Sequence, residues 1–109
     1  MKWRVIVLPR AETQLLEAAT WWSENRSVDQ AFRWLEGFQA ALLALEHRDQ
    51  PLAVAPENEL FDFPFTVHQL TYGLGRHPTH RALLEVRNTA IYVHSIWHLA
   101  QDSISLDQI

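Results

Sequence analysis

"HRALLEVRNTAIYVHSIWH", residues 80–98, is the stretch whose reading decides the fold. It reads as two strands around a tight turn. Ala82, Leu84 and Val86 alternate with Arg81, Leu83, Glu85 and Arg87, and a strand sends successive side chains to opposite faces. Asn88-Thr89 supplies the turn, because asparagine tolerates the positive φ that tight hairpins demand. In the second strand the same alternation assigns Ile91, Val93, Ser95 and Trp97 to the apolar face. Tyr92, His94, Ile96 and His98 then fall on the other. One face of the hairpin is built for a core, and the other gathers cationic and titratable groups. An antiparallel sheet with one solvated face is ordinary. The second face therefore reads equally as a wet surface or as a site.

Working outward, "TVHQLTYG" (66–73) is a further strand, joined to the hairpin by Gly73 to Pro78. Before it, "DQPLAVAPENELFDFPF" (49–65) holds three prolines and four acids, which excludes a helix and predicts an ordered loop or edge segment. At the other end, "KWRVIVL" (2–8) is strand-like, with Trp3, Val5 and Val7 on one face and Arg4 and Ile6 on the other. Pro9 suits the first turn of a helix, in which Ala11, Leu15, Ala18 or Ala19, and Trp22 recur at helical spacing. The pattern breaks at Asn25 to Ser27. Ser27 caps a second helix, with Gln30 completing a capping box, and Ala31, Leu35, Phe38, Leu42 and Leu45 form its stripe.

So short a connection predicts an antiparallel helix hairpin. Gly37 lies mid-helix, where it costs about 1 kcal/mol relative to alanine, and suggests close approach of another element. The class is α+β, in the order β-α-α-β-β-β, with a polar tail that closes in a helical turn. The helix hairpin is expected on the sheet face formed by Trp3, Val5, Ala82, Leu84, Val86, Val93 and Trp97. At such spacing the tryptophans and Phe38 are core rather than a binding box.

A chain of 109 residues fits one domain, spanning 1–109. It has no cysteine, which excludes disulfides, thiol nucleophiles and cysteine-based zinc sites. The N-terminal apolar run, Val5 to Leu8, is too short for a signal-peptide core or a membrane span, so a soluble, cytoplasmic protein is expected. A net charge of −4 argues against general affinity for nucleic acid. The charge is uneven, however: residues 66–98 carry Arg76, Arg81 and Arg87 against Glu85 alone. His94 and His98 lie four residues apart on one strand, about 13 Å, too far to share an ion. His77 and His80 flank Pro78 but have no cysteine or acidic third ligand near them, so no metal is expected. No phosphate loop, serine nucleophile motif or HExxH pattern is present, and no cofactor is expected.

Taken in order, "WRVIVLPRAETQLLEAATWW", "AFRWLEGFQAALLAL", "VHQLTYGLGRHPTHRALLEV" and "IYVHSIWHLAQD" resemble the RelE/ParE superfamily of bacterial type II toxins, the plasmid-stabilisation proteins. The likeness covers nearly the whole chain. Its ordered combination carries it, since no single motif is highly specific. It implies two helices on one face of an antiparallel sheet, and a cognate antitoxin that wraps and blocks the toxin. Two targets are known in the superfamily. RelE-like members cleave mRNA on the ribosome; ParE-like members inhibit DNA gyrase without being nucleases.

RNA cleavage needs a base, an acid and cations for the charge that develops on phosphorus. Under this alternative Arg81, at the family's strand arginine, and His98, at its terminal histidine, are the catalytic residues. Yet the chain has one lysine, Lys2. Acidic "ENELFDF" stands where RelE-like nucleases place a basic loop, and "LAQDSISLDQI" where they have basic C-terminal residues. A protein docking on ribosomal RNA gains from excess positive charge. The resemblance therefore favours a ParE-like non-nuclease acting on gyrase over a ribosome-dependent mRNA nuclease. Arg76, Arg81, Arg87, Tyr92, His94 and His98 are the expected target-binding residues. A non-toxic, binding-only relative is the third reading, and the oligomeric state is not legible.

Overall fold

The computed structural model describes residues 2–100. The helical turn expected in the polar tail lies outside the described residues. β1 (Arg4–Val7) leads into α1 (Pro9–Asn25) and α2 (Val28–Leu43), and a 3-10 turn, Ala44–His47, follows. The proline-rich segment contributes a two-residue strand, β2 (Ala53–Val54), and a second 3-10 turn, Pro56–Glu59. β3 (His68–Tyr72), β4 (His80–Arg87) and β5 (Ala90–His98) complete a five-stranded sheet of order β1-β5-β4-β3-β2. The chain is α+β, as its pattern indicates, with one addition and one refinement. The addition is β2, at an edge. The refinement is that β1 joins β5 in parallel, with Val5 opposite Ile91 and Val7 opposite Val93, so the sheet is mixed. Alternation within β1 cannot show which neighbour it takes; that depends on which sheet edge the helix hairpin leaves free.

Local chemistry sets the helix ends. Pro9 occupies the first turn of α1, where its missing N–H costs nothing. The Ser27 hydroxyl accepts the Gln30 N–H at 3.1 Å and caps α2. Ala11 and Leu15 of α1 and Trp34, Phe38 and Leu42 of α2 pack onto Ala82, Leu84, Ile91, Val93 and Ile96. Trp3, Val5, Val7 and Val86 border this core. Gly37 admits β3: a Cβ there would lie 2.0 Å from the Tyr72 hydroxyl oxygen. Tyr72 stacks on Phe38, ring centroids 4.7 Å apart.

The expected helix-covered face is found for Trp3, Val5, Ala82, Leu84, Val86 and Val93, but not for Trp97. Leu84 pairs with Val93 and Leu83 with Ser95, so His94 is an extra residue in β5, a β-bulge. One inserted residue inverts every face after it. Ile96 therefore points into the helix-side core, whereas Ser95 and Trp97 lie on the far side, where the Trp97 indole N–H donates to Ser95 Oγ at 2.7 Å. His98, expected beside Tyr92, sits instead on the helix side next to His80. β5 also outruns β1. Past Val93 its edge is closed by α1, whose Gln14 Oε1 accepts the Ile96 N–H at 2.8 Å.

The far face is not open either. Segment 53–67 folds across it, and Ala55 and Val67 bury Leu83 completely, with Phe63, Phe65 and Trp97 around them. Asn58 staples this cover: its side-chain amide donates to the carbonyls of Ala55 and Val67, and its Oδ1 accepts the Val67 N–H. The sequence reading of a solvated second face is corrected for Arg81, Leu83 and Glu85, all of them buried.

Candidate functional site

The far face carries two polar clusters, one shut and one partly open. Arg81 anchors the shut one. Its guanidinium grips Glu57 in a two-pronged ion pair, Nη1 donating to Oε1 at 2.8 Å and Nη2 donating to Oε2. Gln69 Oε1, from β3, accepts a further bond from Nη1 at 3.0 Å. Glu57 is fully buried and Arg81 6% exposed. The strand arginine is thus neutralised by the first acid of "ENELFDF", held in place by the 3-10 turn Pro56–Glu59. Sequence reading saw those acids as missing basic charge. It missed that one of them reaches back across the sheet to the arginine, a contact between residues 24 positions apart.

The second cluster centres on Glu85, also buried. Its Oε1 accepts from His94 Nε2 at 2.7 Å, and its Oε2 accepts from Arg87 Nη2 at 2.8 Å and Nε at 3.0 Å. Burial pushes the Glu85 carboxyl up, but the hydrogen bonds and charges of His94 and Arg87 outweigh it and hold the carboxyl below its ordinary value. Arg87 lies 4.8 Å over the Tyr92 ring, and the His94 imidazole stacks on Phe65 at 5.3 Å. The bulge makes this possible, since it lets His94 and Ser95 both face away from the helices.

Of the sequence-derived candidates, Arg87, Tyr92 and His94 come together around Glu85. Arg81 is separate and internally paired. Arg76 is exposed in the loop between β3 and β4 and has no ion-pair partner among the described residues. His98 lies on the opposite side of the sheet from Arg81, so the two cannot act on one phosphate from a shared face. His98 instead faces His80, ring centroids 4.9 Å apart. Burial, with the neighbouring His98 adding to it, holds the His80 imidazole down at about 4. Its Nδ1 shares a 2.8 Å hydrogen bond with the Thr79 hydroxyl. Among the described residues no group of three or more His, Cys, Asp or Glu is arranged to hold a metal ion. No described helix is long and apolar enough to cross a membrane.

No family model matches the chain, and no curated protein matches it. Among solved structures it is similar to a chain of the chromosomal ParDE TA system from P. aeruginosa, at 14% identity, with a TM-score of 0.69 over 89% of this chain and 96% of that one. The fold is ParE-like: two helices on a five-stranded mixed sheet.

Proposed function

We propose that the chain is, as a single domain, the toxin of a type II toxin–antitoxin pair, neutralised by a cognate antitoxin, and that it acts in the cytoplasm on DNA gyrase without nuclease chemistry. One observation carries the choice against RNA cleavage: Arg81, the residue best placed by sequence to meet a phosphate, is buried against Glu57. A guanidinium already matched by a carboxylate has little left to offer a developing phosphorane. The net charge of −4 adds to this, because ribosome docking favours cationic proteins. Arg87, Tyr92 and Arg76, which has no ion-pair partner among the described residues, remain as surface for a protein target.

A second reading has one observation in its favour. Glu85 orients the His94 imidazole as a carboxylate orients a general base. The test is induction of the chain with and without the product of its adjacent gene. Supercoiling and mRNA ends are followed together, in wild type and in His94→Gln. Growth arrest with blocked supercoiling, intact mRNA and rescue by the neighbour is the expected result. Codon-phased cleavage that disappears in His94→Gln would transfer the protein to the nuclease branch. His94→Gln serves here better than Arg81→Ala, which would break a buried ion pair and mix folding with chemistry.

A further inference from the structure

The sheet edge where β4 begins and β5 ends forms, with the end of α1, a pocket of about 380 Å³ on the helix side. Its walls are Ala18, Trp21 and Trp22, and its rim carries Arg26, Thr79, His80 and His98, with no carboxylate among the described residues of the lining. Trp21 and Trp22 meet edge to face at 5.6 Å, and Trp21 is 50% exposed, so apolar ring surface faces the pocket. The Arg26 guanidinium has no ion-pair or hydrogen-bond partner among the described residues. The bond from the Ala100 N–H to His98 Nδ1, 3.0 Å, fixes the tautomer. Because Nδ1 accepts, the neutral ring carries its proton on Nε2, which is a donor rather than a metal ligand.

The geometry points to a binding site for an aromatic carboxylate, its ring against the two tryptophans and its anion met by Arg26 and the His98 Nε2–H. The volume suits a ring with a short acidic arm and falls in the range of small-ligand pockets. The mostly apolar walls favour a phenyl or indole ring over a nucleobase, whose polar edge would find only Thr79 and His80 once Arg26 and His98 meet the anion, among the described residues. This goes beyond the proposed toxin activity and does not depend on it. The far-face clusters contribute no residue to the pocket. Two sources share the chemistry, a free aromatic acid and the C-terminal aromatic residue of a peptide.

The experiment titrates the full chain with indole-3-propionate, its primary amide, and a short peptide ending in tryptophan, with a free or amidated C-terminus. Tryptophan fluorescence and calorimetry report binding. The acid is expected to bind about tenfold or more tighter than its amide, the difference one charge-assisted contact makes. Arg26→Gln should remove most of that preference, and Ala18→Leu, which fills the pocket, should abolish binding. Arg26 is exposed, so Arg26→Gln should retain the wild-type fold by circular dichroism. Tighter binding of the free-acid peptide than of indole-3-propionate assigns the source to a protein terminus, and the reverse assigns it to a metabolite. Equal affinity for acid and amide, no saturation at millimolar ligand, or unchanged binding by Arg26→Gln would each overturn the proposal.

Discussion

Arg81 and Glu57 illustrate what one buried pair asks of a small protein. Desolvating both ions is costly, and their attraction offsets that cost only while both are present. Removing one partner strands the other, so Glu57→Ala or Arg81→Ala should each lose about 3–5 kcal/mol of stability. Glu57→Leu combined with Arg81→Met should recover much of it, as read by comparing the urea midpoints of the four proteins. A double variant no more stable than the singles would show that Gln69 and the turn, not the pair, hold the segment. His80 makes a second residue-scale test. Its folded value of about 4 lies below the ordinary 6.5, so the unfolded chain takes up a proton first as pH falls. The stability tied to neutral His80 is therefore complete above pH 6.5 and drains away toward pH 4. That drop of about two and a half pH units corresponds to about 3 kcal/mol at most. His80→Gln should flatten the fall across this window relative to wild type, as read by denaturation at a series of pH values.

At the scale of elements, α2 and β3 are fitted through Gly37. Alanine there gains about 1 kcal/mol in helix propensity. The added methyl, however, would run into the Tyr72 hydroxyl, which would have to move together with the ring it belongs to. Overpacking of this kind costs roughly 1–3 kcal/mol, so Gly37→Ala should be net destabilising. Tyr72→Phe removes the nearest atom and should rescue it, with a thermal midpoint for the double variant above that of Gly37→Ala alone. β5 offers the complementary lesson. Its bulge at His94 turns a strand with one apolar face into two half-strands of opposite sense, with Ile91 and Val93 inward before it and Ile96 inward after it.

At the scale of the whole molecule, two cores share one sheet, with helices covering one side and segment 53–67 the other. The cover brings acids to the face where a nucleic-acid binder would need cations. Non-specific affinity for single-stranded RNA at physiological salt is expected to be no tighter than roughly 10⁻⁴ M, the weak end of purely electrostatic binding. Filter binding of homopolymer RNA measures it, and micromolar retention that falls steeply with salt would contradict the charge argument.

The sequence by itself determined the elements and most of their inward faces. Helical stripes, a serine cap, Pro9 and the Asn88 turn, where φ is +56°, are local signals written over a few neighbouring residues. It also determined the charge balance, a net −4 with one lysine. What it could not determine was whatever depended on residues far apart in the chain. The bulge was invisible because alternation reads correctly on either side of His94, and only the register against β4 shows which residue is extra. The parallel docking of β1 and the Glu57 clasp on Arg81 are of the same kind. Each is chosen by competition among distant partners for one edge or one buried charge. Only the packed structure decides that competition.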